Sequence, residues 1–266
     1  MAASLKDKRT PITTPPYQVP CVDVTPDPPI FSLVTTFNNN EIGLPEDPSL
    51  IFPITRVHNE GAETSFKLLG ILFDEYLSFD SHINSICSKI AKSLFCLNRI
   101  KNFVTTPALK MLYYAMVHSH IAYCLNVYSC ANSTSLNKIK LKQKQAIRIV
   151  CNAKYRDHTG PLFKQQKILP LDNLIRYSAL KFMHKFSHGK LPFSFNEMWT
   201  TNRQRNPDLV LRNADNYYVP PHNFATTKRF PFYTFPRIWN EADQSKLNPS
   251  LNVFLRNVKS AMFAAI

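Results

Sequence analysis

The period of the apolar positions changes at Asp80. From there Ile83, Ile86, Cys87, Ile90, Leu94 and Leu97 recur at steps of three and four residues. That spacing describes one apolar face of a helix, with Ser78 or Asp80 as its cap and an end near Phe103. Before it, Phe66 to Phe73 is a short apolar run closed by Asp74-Glu75, and its length suits a buried strand. Val34 to Phe37 and Leu50 to Ile54 are candidate partner strands. Thr106-Pro107 then reads as a cap followed by proline in a first turn. The helix it opens runs to about Tyr128 and is apolar nearly all round, through Leu109, Leu112, Tyr113, Met116, Val117, Ile121 and Leu125. A helix of that kind is expected at the centre of its bundle.

A third helix is expected from Ser133 to Cys151, with Leu136, Ile139, Ala146, Ile147 and Val150 facing inward. Gly160-Pro161 opens a short one, and Leu171 to His188 gives another, with Gly189 at the position after its cap. From Leu191 to Pro236 proline, asparagine and aromatic residues dominate, which reads as irregular chain with short extended pieces. A last helix spans Ser250 to Ala264. No internal repeat is present. The pattern is that of a mainly α protein.

Composition sharpens this at the N-terminus. Seven prolines fall between Pro11 and Pro29 with no helical or strand periodicity, so residues 1–30 read as disordered or extended. The start also lacks the apolar core of a signal peptide. The six cysteines form no CxxC pair and no compact framework, which suits a reduced intracellular protein, nuclear or cytoplasmic rather than secreted. The most apolar run, Met111 to Val117, is far short of the about 20 residues a bilayer needs. No membrane span is expected.

Charge changes the picture most. Ser81 to Arg156 contains twelve Lys or Arg residues and no acid, out of a formal net charge of +14, leaving +2 for the other 190 residues. A segment of one sign and this length points to a polyanionic partner, with nucleic acid ahead of an anionic membrane surface. In the third helix Lys140, Lys144 and Arg148 form a row at four-residue steps, while Lys138 and Lys142 take the opposite flank. Such a row sets cations about 6 Å apart, close to the spacing of phosphates on a strand. A solvated face is the ordinary reading of a charge run. Here no acid stands four residues away to relieve the repulsion, which favours phosphate contact.

Aromatic residues interleave with these cations: Phe95, Arg99 and Phe103 on the first helix, Tyr155-Arg156 after the third. Stacking on bases is open to them, but core packing is the stronger expectation for Phe95 and Phe103, while Tyr155 suits either. The candidate contact set is Lys89, Lys92, Arg99, Lys101, Lys138, Lys140, Lys142, Lys144, Arg148, Lys154, Tyr155 and Arg156. His118, His120 and Cys124 share a helix face poorly, and His184 with His188 lacks a third ligand. Both groups read as structural, with no metal expected. No GxSxG, phosphate-cradling glycine loop or HExxH occurs, and the adjacent acids Glu46-Asp47 and Asp74-Glu75 lie in no catalytic context. The residues describe a binding protein without a cofactor.

Five segments carry a resemblance in order. Phe66-Lys-Leu-Leu-Gly-Ile71 with Ser78-Phe-Asp-Ser-His-Ile83 is similar to "F-K-F-L-G-I … L-T-W-x-x-H-I". Leu112 to Tyr123 resembles "L-Y-x-x-L-I-x-P-H-L-x-Y", and Leu136 to Ile149 resembles "L-x-K-L-x-x-L-Q-N-R-A-L-R-I". His158 to Phe163 and Pro236 to Asn240 follow. Together, over residues 66–266, they resemble the C-terminal part of reverse transcriptases from non-LTR, LINE-like retrotransposons.

The resemblance implies that Leu68, Leu69 and Gly70 belong to a hairpin lying against the primer 3′ end, a primer grip. The helices after it would be the thumb, which tracks a template–primer duplex by its backbone. The implied organisation is a Pro-rich tail (1–30), a palm-like β segment (31–77), a basic helical thumb (78–190) and an irregular C-terminal region with a final helix (191–266). The departure lies in the catalytic centre. The family's polymerase site needs carboxylates holding two metal ions, including a Tyr/Phe-x-Asp-Asp turn. No Asp-Asp pair occurs in this sequence, and 65 residues before Phe66 are too few for fingers and palm. The expectation is a truncated, non-catalytic fragment that binds RNA or DNA without sequence preference. The competing expectation is a helical module that self-associates or binds protein through a surface that would face the palm. A third, active polymerase with carboxylates from another chain, needs a partner.

Overall fold

The computed structural model describes residues 65–209, 212–221, 224, 227–242 and 250–265. The expected strands Val34 to Phe37 and Leu50 to Ile54, and the expected disorder of residues 1–30, lie outside the described residues. What is described is mainly α, opening on one two-stranded hairpin.

The run from Phe66 to Phe73 is not one buried strand. It folds into β1 (Ser65–Leu68) and antiparallel β2 (Ile71–Asp74), joined at Leu69-Gly70. Both turn residues have positive φ, 47° and 83°, the conformation of a two-residue hairpin turn, which Gly70 adopts without strain. Only β2 is seated, through buried Ile71, whereas Phe66, Leu68 and Leu69 are exposed.

The carboxylate of Asp74 then starts the first helix, α1 (Asp80–Ile100). It accepts from the backbone N–H of Ser78 (2.8 Å) and Phe79 (2.7 Å), while the Ser78 hydroxyl accepts from the N–H of Asp80 (3.3 Å), so the strand end and Ser78 together hold the helix start. The stripe read from the sequence is the buried one except for half-buried Cys87, with His82 and Ser93 added to it.

The segment after α1 is not one regular helix. Leu109, Tyr113, Val117, Ile121 and Leu125 are all buried and spaced by four. At 3.6 residues per turn, each such step drifts about 40° around an α-helix. The chain corrects the drift. After α2 (Thr106–Tyr113) a π-helical turn, Tyr114–His118, widens the winding before α3 (Ser119–Ala122). It then breaks at Tyr123 and left-handed Cys124, and resumes as α4 (Leu125–Tyr128). The buried Tyr128 hydroxyl donates to the carbonyl of Ile121, just before the break. Met111 and Tyr123 are exposed, so this segment is not apolar on all sides.

α5 (Ser133–Val150) packs along α1, with α6 (Thr159–Gln166) and α7 (Leu171–Ser187) beside it. Gly189 ends α7 with φ 62°, as expected of a residue past a helix cap. The stretch from Leu191 to Pro236 is less irregular than its composition suggested. It holds a 3₁₀ turn (Phe193–Phe195), the short α8 (Asn202–Arg205) and a second 3₁₀ turn (Thr227–Arg229). It also holds the start of α9 (Pro231–Glu241), whose Pro236 lies inside the helix. Proline there removes the N–H that the carbonyl of Phe232 would accept. The indole N–H of Trp199 donates to that carbonyl instead, at 2.9 Å. α10 (Leu251–Ala264) completes a second aromatic layer on α7 and α9, around Phe182, His184, Trp239 and Phe254.

Candidate nucleic-acid interface

Helices α1 and α5 run parallel. Two cross-seam hydrogen bonds show it: Asp80 with the Ser135 hydroxyl and Asn84 with Lys138 Nζ (3.0 Å). Burial raises the pKa of the Cys87 thiol, while the Lys142 and Lys138 ammonium groups oppose the rise. Both lysines therefore stand over the α1 seam. On α1, Asn84, Ser88, Lys92, Phe95 and Arg99 are exposed and fall within an arc of about 80°. The open flank of α5 and the open face of α1 thus form one strip. Lys89 is exposed to one side of it, beside His82. Burial, and then Lys89, hold the His82 ring below its ordinary pKa.

The other flank of α5 is different. Lys140 Nζ pairs with Asp172 on α7, and Arg148 Nε donates to the carbonyl of Asp157 at 3.1 Å. Lys144 between them is half-buried, as is Lys142 on the other flank, and no described carboxylate pairs with Lys144. The relief that the sequence lacked within the helix comes from neighbouring segments, so two of the row's three cations have partners. Among the described residues, no carboxylate pairs with Lys92, Arg99, Lys138 or Lys142.

Phe95 and Phe103 are 64% and 86% exposed, which corrects the expectation that they pack in the core. The Arg99 guanidinium lies 5.1 Å from the centre of the Phe95 ring. The signal was present, since Phe95 sits three residues after Lys92 and four before Arg99, on the polar face. Tyr155 is 81% exposed between exposed Lys154 and Arg156, and Lys101 is half-buried.

Leu68, Leu69 and Gly70 are brought together at the hairpin tip, beside the start of α1 and away from its basic end. The Tyr123 hydroxyl, from the break before α4, donates to the Leu69 carbonyl at 2.5 Å. Sequence reasoning missed this strut, which only the break makes possible. Among the described residues there is no cluster of potential metal ligands, and no helix is long and apolar enough to cross a membrane. His184 is fully buried, stacked on His188 and Phe254. His118 packs against Tyr113 and Tyr114.

The described residues thus form a mainly α unit with a basic, aromatic-flanked strip and a hairpin at one end of it. The chain is 25% identical over 127 residues to the RNA-directed DNA polymerase from mobile element jockey of Drosophila melanogaster, covering 46% of this chain and 14% of that protein. It is 26% identical over 120 residues to the jockey polymerase of Drosophila funebris, covering 44% and 13%. These matches support a relationship to non-LTR reverse transcriptases. The chain spans about one seventh of the length of these curated relatives. No family model and no solved structure matches it.

Proposed function

We propose that this reverse-transcriptase-related chain binds RNA or DNA through the sugar–phosphate backbone, along the strip formed by α1 and the Lys138–Lys142 flank of α5, as a thumb would. One observation carries the reading. Lys92, Arg99, Lys138 and Lys142 converge on a single strip, and no described carboxylate pairs with any of them. α1 has 21 residues and so is about 30 Å long, room for about five phosphates of one strand at about 6 Å apart. Contacts of this kind fix position and carry no sequence information.

Polymerase chemistry is not part of the reading, because the sequence contains no Asp-Asp pair to hold catalytic metal ions. The test is equilibrium binding to duplexes of unrelated sequence over a salt series. Affinity is expected to fall steeply and equally for all of them, as counterion release requires. Affinity that stays flat from low to moderate salt would end the proposal. Primer extension by the purified chain would end its non-catalytic part.

A second reading rests on the hairpin tip. Phe66, Leu68, Leu69 and Tyr123 are exposed there, an apolar cluster suited to self-association. Concentration-dependent sedimentation without nucleic acid, abolished by Leu69→Lys, would favour it.

A further inference from the structure

We infer that the end of the bundle where α1 and α5 terminate is a stacking site for unpaired nucleobases, built from Phe95, Phe103 and Tyr155 around Arg99, Lys154 and Arg156. The inference rests on the backbone-binding reading and adds a substrate preference to it, single strands over duplex.

The parallel packing sets these residues at one level of the bundle, with the Lys154–Asp157 turn on the Arg148 side of α5. The hydrogen-bonded pairs Asp80 with Ser135 and Asn84 with Lys138 are offset by 55 and 54 positions. Carried up the seam, that offset sets Arg99 level with the segment that follows α5. There the chain turns through Lys154, Tyr155 and Arg156. The Asp157 carboxylate beside them accepts from the backbone N–H of Lys154 at 2.7 Å, so it shapes the turn.

Exposure makes the case for a ligand. Single exposed apolar residues are ordinary on a protein surface. Three aromatic rings, exposed by 64%, 86% and 81%, at the same end of one bundle and interleaved with cations are a different matter. The guanidinium of Arg99 braces the Phe95 ring at 5.1 Å without covering it. No described carboxylate pairs with Arg99, Lys154 or Arg156. An apolar protein partner would leave these cations desolvated and unmatched. A single strand satisfies both kinds of group, with phosphates on the cations and base faces on the rings. A duplex offers its phosphates but keeps its base faces stacked within the helix.

The experiment uses the full chain and two labelled oligonucleotides of equal length, one of thymidines and one of abasic residues, which carry the same phosphates. Phe95→Ala/Phe103→Ala is expected to weaken thymidine-strand binding about tenfold or more, and to leave abasic-strand and duplex binding within about twofold. Phe95→Trp/Phe103→Trp is expected to keep the thymidine-strand affinity, which separates loss of a ring from loss of fold. Equal losses on both strands, or no loss on either, would overturn the stacking site while leaving backbone binding intact. Failure of the unaltered chain to bind any strand at low salt would overturn both readings. A change in sedimentation with oligonucleotide binding unchanged would also overturn the stacking site, assigning the rings to a protein interface.

Discussion

The two flanks of α5 carry the same kind of residue and meet different surroundings. Lys138 and Lys142 stand on the α1 side, where Lys138 donates to the Asn84 side chain and no described carboxylate pairs with either. Lys140 and Arg148 look toward α7 and the turn before α6, where Asp172 and the Asp157 carbonyl await them. The row with the cleaner four-residue spacing is the one tied into the fold. Spacing along one helix says which side chains are neighbours. What those neighbours face is decided by segments far away in sequence.

Unseating the helix should erase the contrast between its flanks altogether. Ile139 is fully buried between them, and Ile139→Ala should destabilise the protein by about 2–5 kcal/mol. Thermal denaturation checks this, and nucleic-acid affinity should disappear with the fold as temperature rises. A smaller effect follows from the tied flank alone. Lys140→Glu sets two carboxylates together where the Lys140–Asp172 pair stood, at a partly exposed site. The expected cost is within about 1 kcal/mol, with the salt dependence of binding unchanged.

pH bears on the seat of α1 beneath both flanks. Burial, then Lys89, lowers the pKa of His82, whose Nδ1 accepts from the Leu72 N–H at 3.4 Å. Burial, then Lys259, lowers that of His118. The native state therefore binds fewer protons at these rings than the unfolded chain does. Stability is retained above the ordinary histidine value of 6.5 and falls as pH drops below it. Chemical denaturation between pH 7 and pH 5 should show this decline. The double variant His82→Asn/His118→Phe should flatten it.

Much of the helical framework was legible because one-faced helices announce themselves by period. α1, α5, α7 and α10 lie close to where the apolar spacing put them. α9 was hidden, because Pro231 and Pro236 argue locally against a helix and the donor that rescues it is Trp199, 33 residues away from Phe232. The hairpin was legible through the family resemblance, which put Leu68, Leu69 and Gly70 in one, but not through the apolar pattern. The run from Phe66 to Phe73 is apolar but for Lys67, so by pattern alone nothing but Gly70 marks a turn. At the candidate site, the excess of charge was plain in the sequence, but the division into open and tied cations was not. Phe95 and Phe103 are exposed despite their ring size, because Phe95 lies on the polar face of α1 and Phe103 in the turn beyond its end.

If the open flank touches phosphate and the tied flank does not, the two must differ in how salt weakens binding. The direct measurement is the slope of log affinity against log salt for a duplex, compared between Lys138→Ala/Lys142→Ala and Lys140→Ala/Arg148→Ala. The first pair should lower the slope by about two, near 0.9 for each phosphate no longer neutralised, and the second should leave it unchanged. Equal slopes for the two variants, or a reduction confined to the Lys140/Arg148 pair, would show that the helix does not divide its cations in this way.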